Sequence, residues 1–232
     1  MFIMKLNSVG IIPDGNRRYA KKHGIGLPGA YMKGVERTED MLEWIVKKGI
    51  KFSTFYALSY ENLLNRSVFE KNVIFRLIGG KLKKVNTDKR LKDNGIRMKF
   101  FGRLELLPKS LQKLIYEAEK FTSKYDNHQL NLAICYGGRQ EIVDAAKKVA
   151  QAYANSPEKI DENTFEKMLY TKFPAPDLVI RTGGMNRLSG FLTWETAYSE
   201  LYFSDKMWPE FSKKDFNDAV RFYENTERRF GK

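Results

Sequence analysis

One cysteine, two histidines and no long apolar run narrow the chemistry open to this 232-residue chain before any motif is read. Cys135 stands alone, so a disulfide within the chain is impossible and zinc sites built on paired cysteines are excluded. It falls in the apolar run 130–135 and reads as a small buried hydrophobe. A chain without disulfides fits a reducing compartment, so a cytoplasmic location is expected. His23 follows Lys21 and Lys22, and His128 follows Asp126 and Asn127. Both read as surface residues, far apart, so neither a histidine-based hydrolase nor a zinc enzyme is expected. No stretch approaches the roughly 18 apolar residues that span a bilayer. The opening MFIMKLNSVGII is apolar but has no cleavage site and runs straight into a polar motif. It reads as a first strand, not a signal peptide. Gly-x-x-x-x-Gly-Lys-Ser/Thr is absent, which counts against a P-loop nucleotidase.

What is present is a 42% hydrophobic, 30% charged chain with a formal net charge of +13. That length suits one domain over 1–232, since a domain takes roughly 100–200 residues. The excess of positive charge calls for an anionic partner: nucleic acid, anionic lipid or a phosphorylated small molecule. No helix-turn-helix, zinc-finger or RRM signature appears, so nucleic acid is not expected.

Short β-rich runs alternate with helical patterns. Strands are expected over 8–12, 52–58, 96–101, 130–135, 177–180 and 201–203, and helices over 31–48, 68–93, 108–124, 138–152 and 211–228. This alternation predicts an α/β fold with a central, mostly parallel sheet flanked by helices. Polar or glycine-bearing turns follow the first, second, fourth and fifth strands: Asp14-Gly15-Asn16-Arg17-Arg18, Ser59-Tyr60-Glu61-Asn62, Tyr136-Gly137-Gly138-Arg139 and Arg181-Thr182-Gly183-Gly184. In a parallel sheet these carboxyl ends share one edge, where ligands bind.

In the first turn, Pro13 fixes the backbone and Gly15 allows a tight bend before amides that open a helix. Arg17 and Arg18 add phosphate donors, and Asp14 could hold a divalent metal. A plain β-turn with a capping aspartate is the other reading. Around Arg181, two arginines, a hydroxyl and two glycines within 181–189 make a diphosphate cradle. Glu200, inside an aromatic run, needs a cation, which could be an arginine or a metal.

Taken together, the motifs resemble the cis-prenyltransferases, the undecaprenyl diphosphate synthase family. The resemblance runs from residue 11 to 231 and rests on IIPDGNRRYAKKHG (11–24), YALSYEN (56–62), NLAICYGGRQEIV (131–143), VIRTGGMNRLSGFLTWETAYSELYF (179–203), WPEF (208–211) and ERRFG (227–231). It implies a hydrophobic tunnel enclosed by the α/β domain, Mg²⁺ as cofactor, a homodimer, and sequential condensation of isopentenyl diphosphate with an allylic diphosphate to a long-chain product. By position, Asp14 matches the Mg²⁺-binding catalytic aspartate. Gly15, Asn16, Arg17 and Arg18 match the loop that holds the allylic diphosphate, with Tyr19 the aromatic beside it. Ser59, Tyr60, Glu61 and Leu63 match the second substrate segment, Asn62 the asparagine assigned to proton handling, and Arg66 the arginine beyond it. Arg181, Arg187, Leu188 and Ser189 match the isopentenyl diphosphate site, and Glu200 the second metal-linked carboxylate. Arg229-Phe230-Gly231 resembles an element that reaches a partner subunit's site.

Some positions depart from the family pattern. Bacterial members carry Gly and Trp where Arg17 and Tyr19 stand. Tyr31 replaces a usual histidine at a substrate-binding position, and Met185 and Asn186 stand where Glu and often His occur. The first turn resembles archaeal members. The departures keep a short or branched prenyl condensation in view; a non-catalytic partner subunit is the other alternative, against which Asp14 counts, since such subunits typically lack the aspartate loop. The tunnel walls are expected from Leu42, Ile45, Ile74, Leu77 and Ile78. A long lipid product implies transient contact with a membrane surface.

Overall fold

The first strand, SVGII, is buried along its whole length, which places it in the middle of a sheet covered on both faces. The computed structural model describes residues 5–226. In chain order the elements are β1 (Ser8–Ile12), α1 (Asn16–His23), α2 (Leu27–Lys47), β2 (Phe52–Ser59), α3 (Tyr60–Asn65), α4 (Val68–Leu82), α5 (Lys89–Asp93), β3 (Ile96–Phe101), α6 (Lys109–Thr122), β4 (His128–Tyr136), α7 (Gly138–Ala152), α8 (Glu162–Glu166), β5 (Leu178–Arg181), β6 (Glu200–Phe203) and α9 (Lys213–Asn225). The six strands form one sheet in the order β3-β4-β2-β1-β5-β6, every pairing parallel.

Alternation along the strands splits the core in two. Val9, Ile11, Phe55, Leu130, Ile134, Leu178 and Ile180 join the larger cluster, with Met41 and Ile45 of α2, Ile74 of α4 and Leu111 of α6. Ile12, Tyr56, Phe101, Ala133 and Val179, each one residue out of phase, join Phe191 and Leu192 in the smaller cluster. The period of two sends neighbours to opposite faces, so near-continuous apolar strands fill both.

Several expectations change. The helix expected over 68–93 breaks after Leu82 into a 3-10 turn, Val85–Thr87, and the short α5. Asp88 is the cause: its side chain accepts from the Arg90 amide at 2.9 Å and caps a new helix. Helix 31–48 begins earlier, at Leu27, with Pro28 in its first turn, where a missing N–H costs nothing. His128 is not a surface residue. It is 2% exposed, its ring nitrogens lying 2.9 Å from Ser53 Oγ and 2.8 Å from the Ile50 carbonyl. The strand starts at His128, two positions ahead of the expected 130–135, and carries the ring into the sheet. Burial lowers its pKa, so the imidazole stays neutral. The end of the helix expected over 211–228 and the Arg229-Phe230-Gly231 element lie outside the described residues. Among the described residues no helix is long and apolar enough to cross a membrane.

Candidate active site

The chain leaves β1 toward β2 and leaves β5 toward β6, in opposite directions. A crevice therefore opens between β1 and β5, at the edge where open α/β sheets bind ligands. The register sets Ile12 beside Arg181, so the turns holding Asp14 and Arg181 flank this crevice.

Asp14 is clamped between two arginines. Arg181 Nη2 donates to Oδ2 at 3.0 Å, and Arg18 Nη2 lies 3.2 Å from Oδ1. Its carbonyl accepts from Thr182 Oγ1 at 2.8 Å and from the Trp208 amide at 2.9 Å. Trp208 is buried and reaches the Gly34 carbonyl at 2.8 Å, tying the loop to α2. Gly15 adopts φ +111, and a Cβ there would stand 2.9 Å from Met207 Cα. Gly183 adopts φ +86, where a Cβ would stand 2.5 Å from Arg18 Nη2 and 3.1 Å from the Asp14 carbonyl oxygen. Both turns therefore need glycine for conformation, and at Gly15 for space as well.

Arg181 is the hub of the second turn. Besides Asp14, it donates through Nη1 to Ser189 Oγ at 2.7 Å and to the Arg187 carbonyl. Ser189 sits at φ +50, held by its partners rather than by backbone preference. Tyr56 Oη donates to the Tyr136 carbonyl at 3.1 Å and the Ser189 carbonyl at 3.4 Å, so β2 also fixes this loop. Ser59 caps α3 by accepting from the Asn62 amide at 3.0 Å, which sets Asn62 in the first turn.

A cavity of about 830 Å³ runs from this edge down the face of the sheet. Asp14, Asn16, Arg17, Tyr31, Ser59, Glu61, Asn62, Arg66, Arg181 and Ser189 line its polar end. A shallower pocket of about 470 Å³ beside it adds Gly15, Arg18 and Lys21. The long cavity continues between Leu42 and Val46 of α2, Ile74, Leu77 and Ile78 of α4, and Met98, Phe100, Leu130 and Leu132 of the sheet. Of the expected wall residues, Ile45 is instead fully buried in the core beside it. Tyr19 turns away and stacks on His23, with ring centroids 4.2 Å apart. Tyr60 carries the Arg103 guanidinium over its ring at 5.1 Å, and Leu188 packs in the smaller core. Leu63 joins the larger core, and Arg187 is exposed. Glu200 pairs with Leu178 at the amino end of β5, three residues before Arg181. It therefore lies about 10 Å along the strand from the edge that holds Asp14. Within one chain the two carboxylates do not share a site, and among the described residues no group of three His, Cys, Asp or Glu side chains could hold a metal.

The sequence reading passed over Glu70. It is 4% exposed, accepts a hydrogen bond from Tyr31 Oη, and has Arg66 Nε at 3.4 Å and Arg17 Nε at 3.9 Å. Burial, then the bond to Glu70, raises the Tyr31 pKa, so the phenol keeps its proton. Arg66 also lies over the Tyr31 ring at 5.6 Å. The available signal was Ser67-x-x-Glu70, the pattern of a capping box. Ser67 does cap α4, accepting from the Glu70 amide at 3.2 Å, but the Glu70 side chain turns inward and orders three residues of the site.

Glu141 was passed over as well. Buried behind the Gly137-Gly138 turn, it accepts from Tyr136 Oη at 2.5 Å and the Tyr170 amide at 2.8 Å. Burial, with Glu195 nearby, pushes its carboxyl up to about 7. Thr171 joins the two acids: its amide reaches Glu141 at 3.3 Å and its hydroxyl donates to Glu195. The Gly138 amide donates to the Gly190 carbonyl at 2.7 Å, so this cluster backs the Ser189 loop.

Known proteins resemble this chain along nearly its whole length. The family model described as "Putative undecaprenyl diphosphate synthase" matches residues 12–231. The tritrans,polycis-undecaprenyl-diphosphate synthase (geranylgeranyl-diphosphate specific) of Thermoplasma acidophilum is 44% identical over 97% of this chain and 88% of its own length. The protein of the same name from Picrophilus torridus is 46% identical over 96% of this chain and 89% of its own. Among solved structures, lavandulyl diphosphate synthase from Lavandula x intermedia, in complex with dimethylallyl diphosphate, superposes with a TM-score of 0.93 at 36% identity, covering 98% of this chain and 99% of that one. A polar crevice opening into a long apolar cavity, on a chain matched this completely, means that the protein belongs to the undecaprenyl diphosphate synthase family of cis-prenyltransferases, which join isopentenyl diphosphate to an allylic diphosphate.

Proposed function

We propose that this protein elongates an allylic diphosphate by repeated addition of isopentenyl diphosphate, making a long polyprenyl diphosphate in a Mg²⁺-dependent reaction. The observation that carries this reading is the cavity itself, which runs from Asp14 past Leu77 and Met98 to Ile96 at the amino end of β3. Arg17, Arg18 and Arg66 surround the allylic diphosphate, with Lys21 beside them. Arg17 and Arg18 are exposed, and Arg17, 3.9 Å from Glu70, can turn onto an anion while Arg18 holds Asp14. Arg181, Arg187 and Ser189 hold isopentenyl diphosphate with its double bond toward the allylic carbon. Such positioning supplies much of the rate in a two-substrate reaction.

The donor set at the crevice fits Mg²⁺. That ion favours one or two carboxylates completed by substrate phosphate oxygens and water. Asp14 offers the carboxylate at the mouth of the cavity, where phosphate oxygens and water would complete the shell. Asp14 would hold the ion, which would stabilise charge on the departing diphosphate. Glu200, at the other end of its strand, is not assigned to it.

The allylic C–O bond breaks, the diphosphate leaves, and the double bond of isopentenyl diphosphate attacks the resulting cation. A proton is then lost from the new chain. Asn62 is a neutral amide and a poor base, so it orients or relays, and the departing diphosphate accepts the proton. The tight Arg181 clamp on Asp14 keeps the two diphosphate sites a fixed distance apart.

Similarity to two geranylgeranyl-diphosphate-specific synthases supports a C20 starter. A second reading, coupling of two allylic diphosphates with branching, draws on the likeness to lavandulyl diphosphate synthase. A short branched product leaves the Leu77–Ile96 half of the cavity without a purpose, which favours elongation. A homodimer and transient docking of this +13 chain on an anionic membrane complete the proposal. Labelled isopentenyl diphosphate given with dimethylallyl, farnesyl or geranylgeranyl diphosphate tests it. A Mg²⁺-dependent ladder ending in one long product is expected. Conversion of dimethylallyl diphosphate alone, with no ladder, would replace it with the branched reading.

A further inference from the structure

Charge gathers on the apolar cavity where α4 ends. Glu39 of α2 accepts through a single oxygen from Lys81 Nζ of α4 at 2.6 Å and from Arg90 Nη2 of α5 at 3.0 Å. Arg90 is gripped from its other side by Asp88, at 3.1 Å through Nε and 2.7 Å through Nη2. All four side chains line the same cavity as Asp14. α2 and α4 pass the polar crevice at Tyr31 and Glu70 and run on together, so the cluster sits at the last turn of α4 and about two turns past Tyr31 on α2, where Leu42 and Val46 line the cavity further along. From Glu70 to Lys81 the helix advances about 16 Å. Between lies apolar lining, with Leu77, Ile78, Phe100 and Leu132 facing the channel.

The cluster is ionised and held in place. Burial would raise the Glu39 carboxyl, but the hydrogen bonds from Arg90 and Lys81 outweigh it and leave the group below its ordinary range. Asp88 is fixed twice over, because the oxygen that accepts from Arg90 Nε also caps α5. The break in α4 brings Arg90 here: a helix continuous to residue 93 would carry it past Glu39.

We propose that the Glu39–Lys81–Arg90–Asp88 cluster is the stop that determines product length, an inference that rests on the chain-elongation reading above. Each methylene taken into the Leu77–Phe100 stretch is removed from water and strengthens the hold on the growing chain. A methylene pushed among the ion pairs gains nothing of that kind and strips solvent from charged groups. Elongation therefore loses its driving force at this layer, and release overtakes the next addition. The stop works by polarity, not by bulk: the charged heads are partly open to solvent, and what they deny the chain is apolar surface.

The test compares product ladders of the full-length protein with those of Glu39→Leu/Arg90→Leu and of Arg90→Lys, at equal total isopentenyl incorporation. The leucine pair should extend the longest product by at least one isoprene unit. Arg90→Lys keeps a cation against Glu39 while shrinking the side chain, and should end at the original length. An unchanged ladder from a leucine pair that melts cooperatively would overturn the proposal. So would lengthening by Arg90→Lys equal to that of the leucine pair, since bulk and not charge would then be the stop. If the leucine pair does not fold, Lys81→Met is read in the same way. Absence of any ladder from the unaltered protein would sink the elongation reading instead, a result distinct from a ladder whose end does not move.

Discussion

At the polar end of the cavity, Asp14 has both carboxylate oxygens and its carbonyl engaged, a Cβ on Gly15 would collide with the Met207 backbone 2.9 Å away, and Gly183 holds a positive φ. Between that end and the charged cluster about 16 Å down α4, the lining is largely of Leu, Ile, Val, Met and Phe side chains that share only size and lack of polarity. The first region is specified by backbone geometry and hydrogen bonds, which tolerate no substitute. The second is specified by volume, and similar apolar residues can exchange at small cost. One end is therefore suited to preserving the reaction, and the other to changing the product.

The largest effect should break the polar end. Asp14→Ala should lower turnover roughly 10³-fold, as when a main electrostatic group is lost from an active site. Its melting temperature should stay near that of the parent; near-normal turnover would remove Asp14 from the chemistry. Glu70→Ala comes next. It strips a buried carboxylate from Tyr31 and Arg66, and losing one partner of a buried pair costs about 3–5 kcal/mol. Thermal melting should drop clearly, and the KM for the allylic substrate should rise; an unchanged melt would place Glu70 outside the scaffold of the site.

Arg181→Lys tests whether a planar fork is needed. Lysine cannot serve Asp14, Ser189 and the Arg187 carbonyl together, so kcat/KM for isopentenyl diphosphate should fall about 10- to 100-fold in steady-state assays. A loss under twofold would mean that charge alone suffices. Glu141→Gln sharpens the comparison from behind the polar end. A carboxyl raised to about 7 when folded, and ordinary when unfolded, binds more protons in the folded state between those values. Stability is then lost as pH rises from about 4.5 toward 7. Glutamine keeps an acceptor for the Tyr170 and Thr171 amides and does not titrate. The variant should show a flatter melting profile between pH 5 and 7, whereas an equal slope would assign that dependence elsewhere. The smallest effect belongs to the apolar end: Leu77→Ala should redistribute product among the existing lengths without adding a unit to the longest one, since each methylene contributes only about 0.8 kcal/mol. A shift as large as that expected from the charged stop would erase the distinction between wall and stop.

The α/β class was legible because strands buried on both faces read as unbroken apolar runs, and because the polar turns follow those runs directly. Asp14, Arg17, Asn62, Arg181 and Ser189 were legible for the same reason, Arg66 only through the family resemblance, and the structure brings them to one cavity. Tyr19 was not, since a tyrosine one turn into α1 stacks on His23 equally well. The break in α4 was hidden because Asn86-Thr87-Asp88 can sit in a helix and only weakly favours a cap, a choice settled when Val85 and Leu91 found the core. His128 misled because its neighbours in sequence are polar while its neighbours in space are Ser53 and Ile50.

Local order decided the strands, the turns at their carboxyl ends, and which turn carries an acid or an arginine. Those depend on side-chain periodicity and backbone preference, which residues a few positions apart already express. Tertiary structure alone decided that Glu70 would turn inward to Tyr31, that Glu141 and Glu195 would meet through Thr171, and that Glu39 would receive Lys81 and Arg90 from two other helices. These are charges and polar groups 24 to 51 residues apart. Their energies depend on burial and distance, and neither exists until the chain has folded.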